Sequence, residues 1–358
     1  MIFRNNNKIA NIYRGTLKIS NVYRGGILVH TGEKPIPITY DGLTFEALEP
    51  STIQYVPSTV ATAQYSYDAV NWNSADNVTL NLNTGDKVFF KGTITGNQTA
   101  SNRSQFSMTG KISASGSIMS LQAGNPQDNS LNYDYEFCRL FSNCTNLVTA
   151  PALPATTLIN NCYSNMFNGC TSLTTAPDLP ATTLADSCYS YMFYNCNSLT
   201  TAPELPATTL AVSCYSYMFG SCTSLTAAPK LLPATTLAES CYKNMFYNCT
   251  NLITPPELPA TRLSNSCYST MFRSCTSLVT APELPATTLV TNCYKNMFTG
   301  CKKLNYIKAL FTTTPSTTYT SSWVNGVATD GTFVKNKDAT WDVTGANGIP
   351  TGWTIQTA

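Results

Sequence analysis

The chain predicts a mainly β fold with short helices, built on an α/β solenoid of about seven 26-residue coils, with a β-sandwich-like domain before it and a small β cap after it. Three observations carry this. A nine-residue pattern, Cys-Tyr-x-x-Met-Phe-x-x-Cys, begins at Cys162, Cys188, Cys214, Cys241, Cys267 and Cys293, in steps of 26, 26, 27, 26 and 26 residues. A period of that size marks stacked units that cannot bury an apolar face alone. Charged residues make up only 11% of the 358, against about 25% in ordinary soluble domains, while Thr, Ser, Asn and Tyr fill the polar positions, as on an exported or virion β-rich surface. The first third of the chain alternates apolar and polar residues between turn signals.

Residues 1–35 form the first module. Lys8-Ile9-Ala10-Asn11-Ile12-Tyr13-Arg14-Gly15 is echoed at Lys18-Ile19-Ser20-Asn21-Val22-Tyr23-Arg24-Gly25, short strands ended by glycine. The pattern resembles the small Ile-x-x-Val-Tyr-x-Gly segments near the ends of tailed-phage structural proteins. No continuous apolar stretch follows Met1 to Lys8, so neither a signal peptide nor a membrane anchor is expected. Residues 36–130 hold runs such as Ala63-Gln64-Tyr65-Ser66-Tyr67 and Val78-Thr79-Leu80-Asn81-Leu82, with turns like Thr84-Gly85-Asp86 between them. They predict a β-sandwich with no visible chemistry.

Residues 131–310 are the repeat array. The residue before the first cysteine is Asn161, Ser187, Ser213, Ser240, Ser266 or Asn292, each able to cap a first helical turn. Cys188, Met192 and Cys196 then stand at i, i+4 and i+8, with Tyr189 and Phe193 as a neighbouring i, i+4 pair. The spacing predicts a helix of two to three turns packed inward. Leu199, Ala202 and Leu205 follow at three-residue steps as an inner wall, interrupted by Pro203 and Pro206, so its sheet is narrow and largely unpaired. Glu136-Phe137-Cys138-Arg139-Leu140-Phe141-Ser142-Asn143-Cys144 is a worn first copy, and Leu304, Ile307 and Leu310 supply the last wall. In residues 311–358, Trp323, Trp341 and Trp353 among turn residues predict a β cap over the last coil.

The run from Met192 to Leu199 with Leu-Pro following resembles the BspA-like leucine-rich repeats of Bacteroidales surface proteins, in which an Ala-Phe-x-x-Cys-x-x-Leu helix precedes a strand and a proline. The Met-Phe form is similar to the mycoplasma version. The resemblance covers residues 131 to 310. It implies a leucine-rich-repeat solenoid, and it departs from the family at the Cys-Tyr opening and the inserted Pro-Glu-Leu-Pro.

All 14 cysteines lie between Cys138 and Cys301. Eight residues of helix rise about 12 Å, beyond disulfide reach, and the only histidine is His30, so neither an intra-unit disulfide nor a zinc site is expected. Two columns of buried, reduced cysteine are the expectation, with disulfides between equivalent cysteines of adjacent coils as the alternative. No catalytic residue, cofactor site or metal site is expected: one histidine allows no Ser-His or Cys-His pair on the repeats, and no phosphate-binding loop appears. The formal charge of +2 gives no case for nucleic acid.

Two surface features remain. An acidic stripe, Asp178, Glu204, Glu257 and Glu283, follows the first wall proline. The expectation is a solvated stripe that recurs with the repeat, Lys230 in its middle relieving the like-charge repulsion, with a bound cation or the paired carboxylates of a polysaccharide depolymerase as the alternatives. The copies also differ from one another in two outward columns, Asn165, Tyr191, Tyr217, Asn244, Thr270, Asn296 and Asn168, Tyr194, Gly220, Tyr247, Arg273, Thr299. Their aromatic and arginine members, Tyr191, Tyr194, Tyr217, Tyr247 and Arg273, are the candidate recognition surface. The expectation is a non-enzymatic virion-associated protein of a phage of gut Bacteroidales. It would join other virion proteins through its N-terminal region and meet a host cell-surface protein or glycan through the solenoid, with no nucleic acid and no membrane insertion. A bacterial cell-surface or intracellular interaction protein is the alternative.

Overall fold

The computed structural model describes residues 40–358 and, before them, the strands of three short antiparallel hairpins. These pair Ile2–Arg4 (β1) with Asn7–Ile9 (β2), Tyr13–Arg14 (β3) with Leu17–Lys18 (β4), and Asn21–Arg24 (β5) with Ile27–Thr31 (β6). The glycines Gly15 and Gly25 that end the two sequence echoes lie outside the described residues.

Eight strands follow: Thr44–Ala47 (β7), Ser51–Val56 (β8), Ala61–Ser66 (β9), Asn73–Ser74 (β10), Thr79–Leu82 (β11), Lys87–Ile94 (β12), Gln105–Thr109 (β13) and Ile112–Ser115 (β14). They form one sheet of order β10-β9-β12-β7-β14 and a second of order β11-β8-β13. The alternation read from the sequence is visible in burial: Ser51, Ile53 and Tyr55 of β8 point inward between half-buried neighbours. The sheets meet through aromatic rings, Phe106 of β13 lying 5.0 Å from Phe45 of β7 and 5.1 Å from Phe90 of β12.

A sixth strand of the first sheet, Leu147–Thr149 (β15), runs parallel to β14 and belongs to the first repeat. The sandwich and the repeats therefore share one core. Phe106 stacks on Phe141 at 5.4 Å, and the column continues through Phe167, Phe193, Phe219, Phe246, Phe272 and Phe298 at 5.5–5.8 Å with ring planes within 7°. A second column runs from Phe137 through Tyr163, Tyr189, Tyr215, Tyr242, Tyr268 and Tyr294 at 5.7–6.1 Å.

The Cys-Tyr-x-x-Met-Phe-x-x-Cys segment is not a helix. From Ser187 to Cys196 the backbone donors alternate. The N–H groups of Cys188, Ser190, Met192, Tyr194 and Cys196 close turns on the carbonyl three residues back, at 3.1–3.3 Å. Those of Ser187, Tyr189, Tyr191, Phe193 and Asn195 cross to Val212, Cys214, Ser216, Met218 and Gly220 of the next repeat, at 2.8–3.0 Å. Every donor in the segment is used, half of them to join repeats. Every second turn carries a positive φ at its third residue, as a type II turn does: 54° at Ser187, 56° at Tyr191 and 62° at Asn195. The expected N-caps, Asn161, Ser187, Ser213, Ser240, Ser266 and Asn292, are thus left-handed turn residues, with φ of 54–56°, where a cap would be extended. The misreading has a physical cause. Two turns consume four residues, so Cys188, Met192 and Cys196 face inward here at the i, i+4, i+8 spacing of a helix, and all three are fully buried.

Between β15 and the last wall the interior walls meet through isolated parallel bridges such as Thr201↔Ala227 and Ala227↔Thr254. Pro203 and Pro206 lack the N–H that a wider ladder would need. Four-residue helices occur only outside the turn segments, at Ser120–Ala123 (α1) and Thr317–Thr320 (α2). Beyond Cys301 the parallel sheet of Tyr306–Ala309 (β16), Thr332–Lys335 (β17) and Thr354–Thr357 (β18) carries the winding onward, since Asn296, Phe298 and Gly300 donate to Ser321, Trp323 and Asn325. Its inward residues include Ile307, Ala309 and Phe311, with Leu310 half-buried. Trp323, fully buried, stands at the Met position of the turn segment, its carbonyl accepting from the Phe298 N–H at 2.7 Å as that of Met218 accepts from Phe193, and it donates from Nε1 to the Gly348 carbonyl at 2.8 Å.

All 14 cysteines are buried and free. The second of each pair is also tied down: the thiols of Cys170, Cys196, Cys222, Cys249, Cys275 and Cys301 each donate to the Phe carbonyl of the preceding repeat, at 3.0–3.1 Å.

Candidate functional site

The turn segments fix where the varied side chains stand. Asn165, Tyr191, Tyr217, Asn244, Thr270 and Asn296 all occupy left-handed positions, with φ of 54–62°. Asn suits that backbone, whereas Tyr and Thr are out of place there. Tyr191 and Tyr217, one repeat apart, stack with ring centroids 4.4 Å apart and planes 10° from parallel. Tyr194 meets Tyr191 at 5.5 Å and 59° and Tyr217 at 6.2 Å and 66°, so the three rings form a corner. Tyr194 can lie there because Gly220 has no side chain: a Cβ on Gly220 would come within 2.9 Å of the Tyr194 ring. Burial, then the neighbouring Tyr217, pushes the Tyr191 hydroxyl up to about 12.

This corner is one end of an open depression of about 600 Å³. Tyr247 and Arg273 line its other part, so all five residues proposed from sequence variation converge on one place. Arg273 is exposed and the four tyrosines are half-buried. The floor and rim are small polar residues, among them Ser266, Ser269 and Asn292.

Two lining residues escape the sequence reading: Lys243 and Lys295. They belong to a column otherwise filled by serine, at Ser164, Ser190, Ser216 and Ser269. The hydroxyls of the first three donate to Ser190, Ser216 and Lys243 carbonyls of the next repeat at 3.3 Å. The two breaks in that column are the signal that would have found them. Lys243, Arg273 and Lys295 bring three cations to the depression, and no carboxylate lines it.

The acidic stripe is elsewhere. Asp178, Glu204, Glu257 and Glu283 are exposed on the wall and none lines the depression. Its charges are interleaved with lysine: Glu283 pairs with Lys308 at 3.0 Å, and Lys230 stands in the column between Glu204 and Glu257, its backbone N–H donating to Glu204 Oε1 at 3.3 Å. Among the described residues no group of three or more His, Cys, Asp or Glu side chains is placed to hold a metal ion, and no helix is long and apolar enough to cross a membrane. Burial pushes the thiols away from reactivity, Cys196 well above its ordinary value and Cys222 up to about 12.

Stacked repeats with an inward Leu and Cys pattern and a varied outer face define a leucine-rich repeat protein. The family model for the BspA type leucine rich repeat region matches residues 137–253 and 186–322, in six copies. These spans together cover just over half of the chain, which belongs to this family. No curated protein and no solved structure matches the chain. Membership points to a protein-interaction or surface-binding role.

Proposed function

We propose that the repeats form a leucine-rich-repeat solenoid of seven coils that a virion displays for attachment, without catalysis, to a host surface protein or carbohydrate. One observation carries this reading: Tyr191, Tyr194, Tyr217, Tyr247 and Arg273, which vary among otherwise near-identical copies, meet in one open depression. Aromatic rings and arginine are the side chains that anchor interfaces, and Tyr191 and Tyr217 hold left-handed backbone that Asn or Gly would occupy with less strain. The N-terminal echo with its phage-like pattern supports a virion of a Bacteroidales phage, with residues 1–35 joining other virion proteins. The acidic stripe, interleaved with lysine, serves as solvated surface.

Binding of the fluorescently labelled chain to Bacteroidales cells tests the reading. Replacing the five residues together by Ala is expected to abolish binding and leave the unfolding transition in place, while D178N/E204Q/E257Q/E283Q binds normally. Loss of binding, or of a sugar-cleaving activity, in the second variant alone would overturn the assignment in favour of a depolymerase. An antibody to the chain is expected to label purified phage particles; labelling of the bacterial envelope instead would make it a bacterial surface protein.

A further inference from the structure

We infer that the depression takes an acidic saccharide, a sugar ring bearing a carboxylate or sulfate, stacked on the tyrosine corner with its anionic group among Lys243, Arg273 and Lys295. This inference rests on the recognition reading of the same depression. Its first support is charge. The chain is nearly balanced, with 21 Lys and Arg against 19 Asp and Glu, yet this depression collects three cations and no carboxylate. Among the described residues the ion pairs are Lys87 with Glu46, Lys308 with Glu283 and Lys335 with Asp342, so the three cations lack a carboxylate partner.

The second support is the serine column. At Ser164, Ser190 and Ser216 this column places a buried hydroxyl on the next repeat's carbonyl, whereas Ser269, inside the depression, faces the Thr270 hydroxyl at 3.4 Å. The column's serine is replaced twice, both times by lysine, and both lysines line the depression. A packing position has given up its hydrogen bond to bring an ammonium to this place.

The third support is shape. Tyr217, backed by the Tyr191 ring stacked on it, and Tyr194 line the depression with ring planes 66° apart, flat apolar area suited to the C–H face of a pyranose. Ser266, Ser269 and Asn292 supply the small donors and acceptors that hydroxyl groups need. A nucleic acid would require a longer cationic track than three residues. An extended acidic peptide would require a sheet edge or apolar side-chain pockets, and the lining is instead tyrosine and small polar residues. The saccharide is the ligand that uses rings, polar floor and cations together.

Titration of the full chain with oligogalacturonate, its methyl ester, an oligosaccharide sulfate ester and tri-glutamate tests this. The variant is K243S/R273T/K295S, in which every new residue already occupies the same column of another repeat, so the stack is preserved. The unmodified chain is expected to bind oligogalacturonate or the sulfate ester at least about tenfold more tightly than the methyl ester, and to weaken as salt rises from about 0.05 to about 0.5 M. Which of the two acids wins names the anionic group. The variant is expected to bind acid and ester alike. Equal binding of acid and ester by the unmodified chain, retained acid preference in the variant, tri-glutamate binding as tight as the acids, or no binding of any probe would each overturn the inference. Cell binding by the unmodified chain in those cases would leave the attachment reading standing; its absence would remove both.

Discussion

Ser221 distinguishes a turn segment from a helix by the sign of one energy difference. It sits at φ +59°, the third residue of a turn whose next N–H, that of Cys222, closes on Phe219. Its own N–H donates to the Tyr247 carbonyl at 2.7 Å. Replacing it by Ala and, separately, by Gly removes the same hydroxyl, so the two variants differ only in how their backbones tolerate the site. A left-handed conformation costs an L-residue about 1–2 kcal/mol, and Gly escapes that while giving up about 0.5–1 kcal/mol of unfolded-chain entropy. Ser221→Gly should therefore be more stable than Ser221→Ala by about 0.5–1 kcal/mol. In a helix interior the order reverses, with Ala ahead by about 0.8–1.0 kcal/mol. The gap between the two outcomes is about 1.5–2 kcal/mol, well resolved in urea unfolding followed by tyrosine fluorescence. Repeating the pair at Ser274, which lies two repeats on at φ +63°, doubles the signal if the sites are independent. Ala ahead of Gly at both positions, with a strongly helical far-ultraviolet spectrum, would refute the turn assignment.

Other expectations follow from the same interior. Thiol titration of the native chain should find almost none of the 14 cysteines reactive, because burial pushes thiols such as Cys188 and Cys301 up to about 12; all should react in denaturant, and disulfides recovered from the native chain would contradict it. Glu136, buried in the first repeat, has its carboxyl raised to about 7 from 4.5, chiefly by burial. A raised acid binds its proton more tightly when folded, so stability should fall as pH rises from about 4.5 to about 7 and then level off, by about 3 kcal/mol in all. Glu136→Gln, which keeps an acceptor for the Asn132 and Tyr133 N–H groups, should flatten that profile in melts between pH 5 and pH 8; an unchanged slope would remove Glu136 as its source.

The period, the repeat boundaries and the buried columns were legible because they depend on which residues recur, and Cys162 to Cys301 recur without ambiguity. The backbone of the turn segment was not, since inward residues every four positions fit a helix and a pair of turns equally. The deciding sign was present in a third column, Gly169, Asn195, Ser221, Asn248, Ser274 and Gly300. Glycine at both ends of a helix-like column, with Asn and Ser between, marks a left-handed backbone, and φ there is 58–77°. Part of the candidate site was legible through variation, which named the tyrosines and Arg273. Lys243 and Lys295 were missed because their column reads as conserved packing serine, and only the hydrogen bonds of that column show what the lysines displaced. The acidic stripe drew notice by recurrence alone, and recurrence follows from the repeat whether or not a position does anything.

The one 27-residue step shows what the architecture tolerates. The extra residue falls in the Lys230-Leu231-Leu232 wall, where neighbours touch through single bridges, while the rings on either side of it remain stacked, Tyr215 on Tyr242 at 5.7 Å and Phe219 on Phe246 at 5.6 Å. Length errors are absorbed on one side of the winding and the other side keeps register. Since each coil offers its successor the same backbone and the same rings, whole units can be duplicated, lost or reordered by recombination among near-identical coding segments without rebuilding the interior. Such an exchange would change which tyrosine stands beside which lysine. If the depression is the recognition surface proposed above, one such exchange would alter what it binds in a single genetic step.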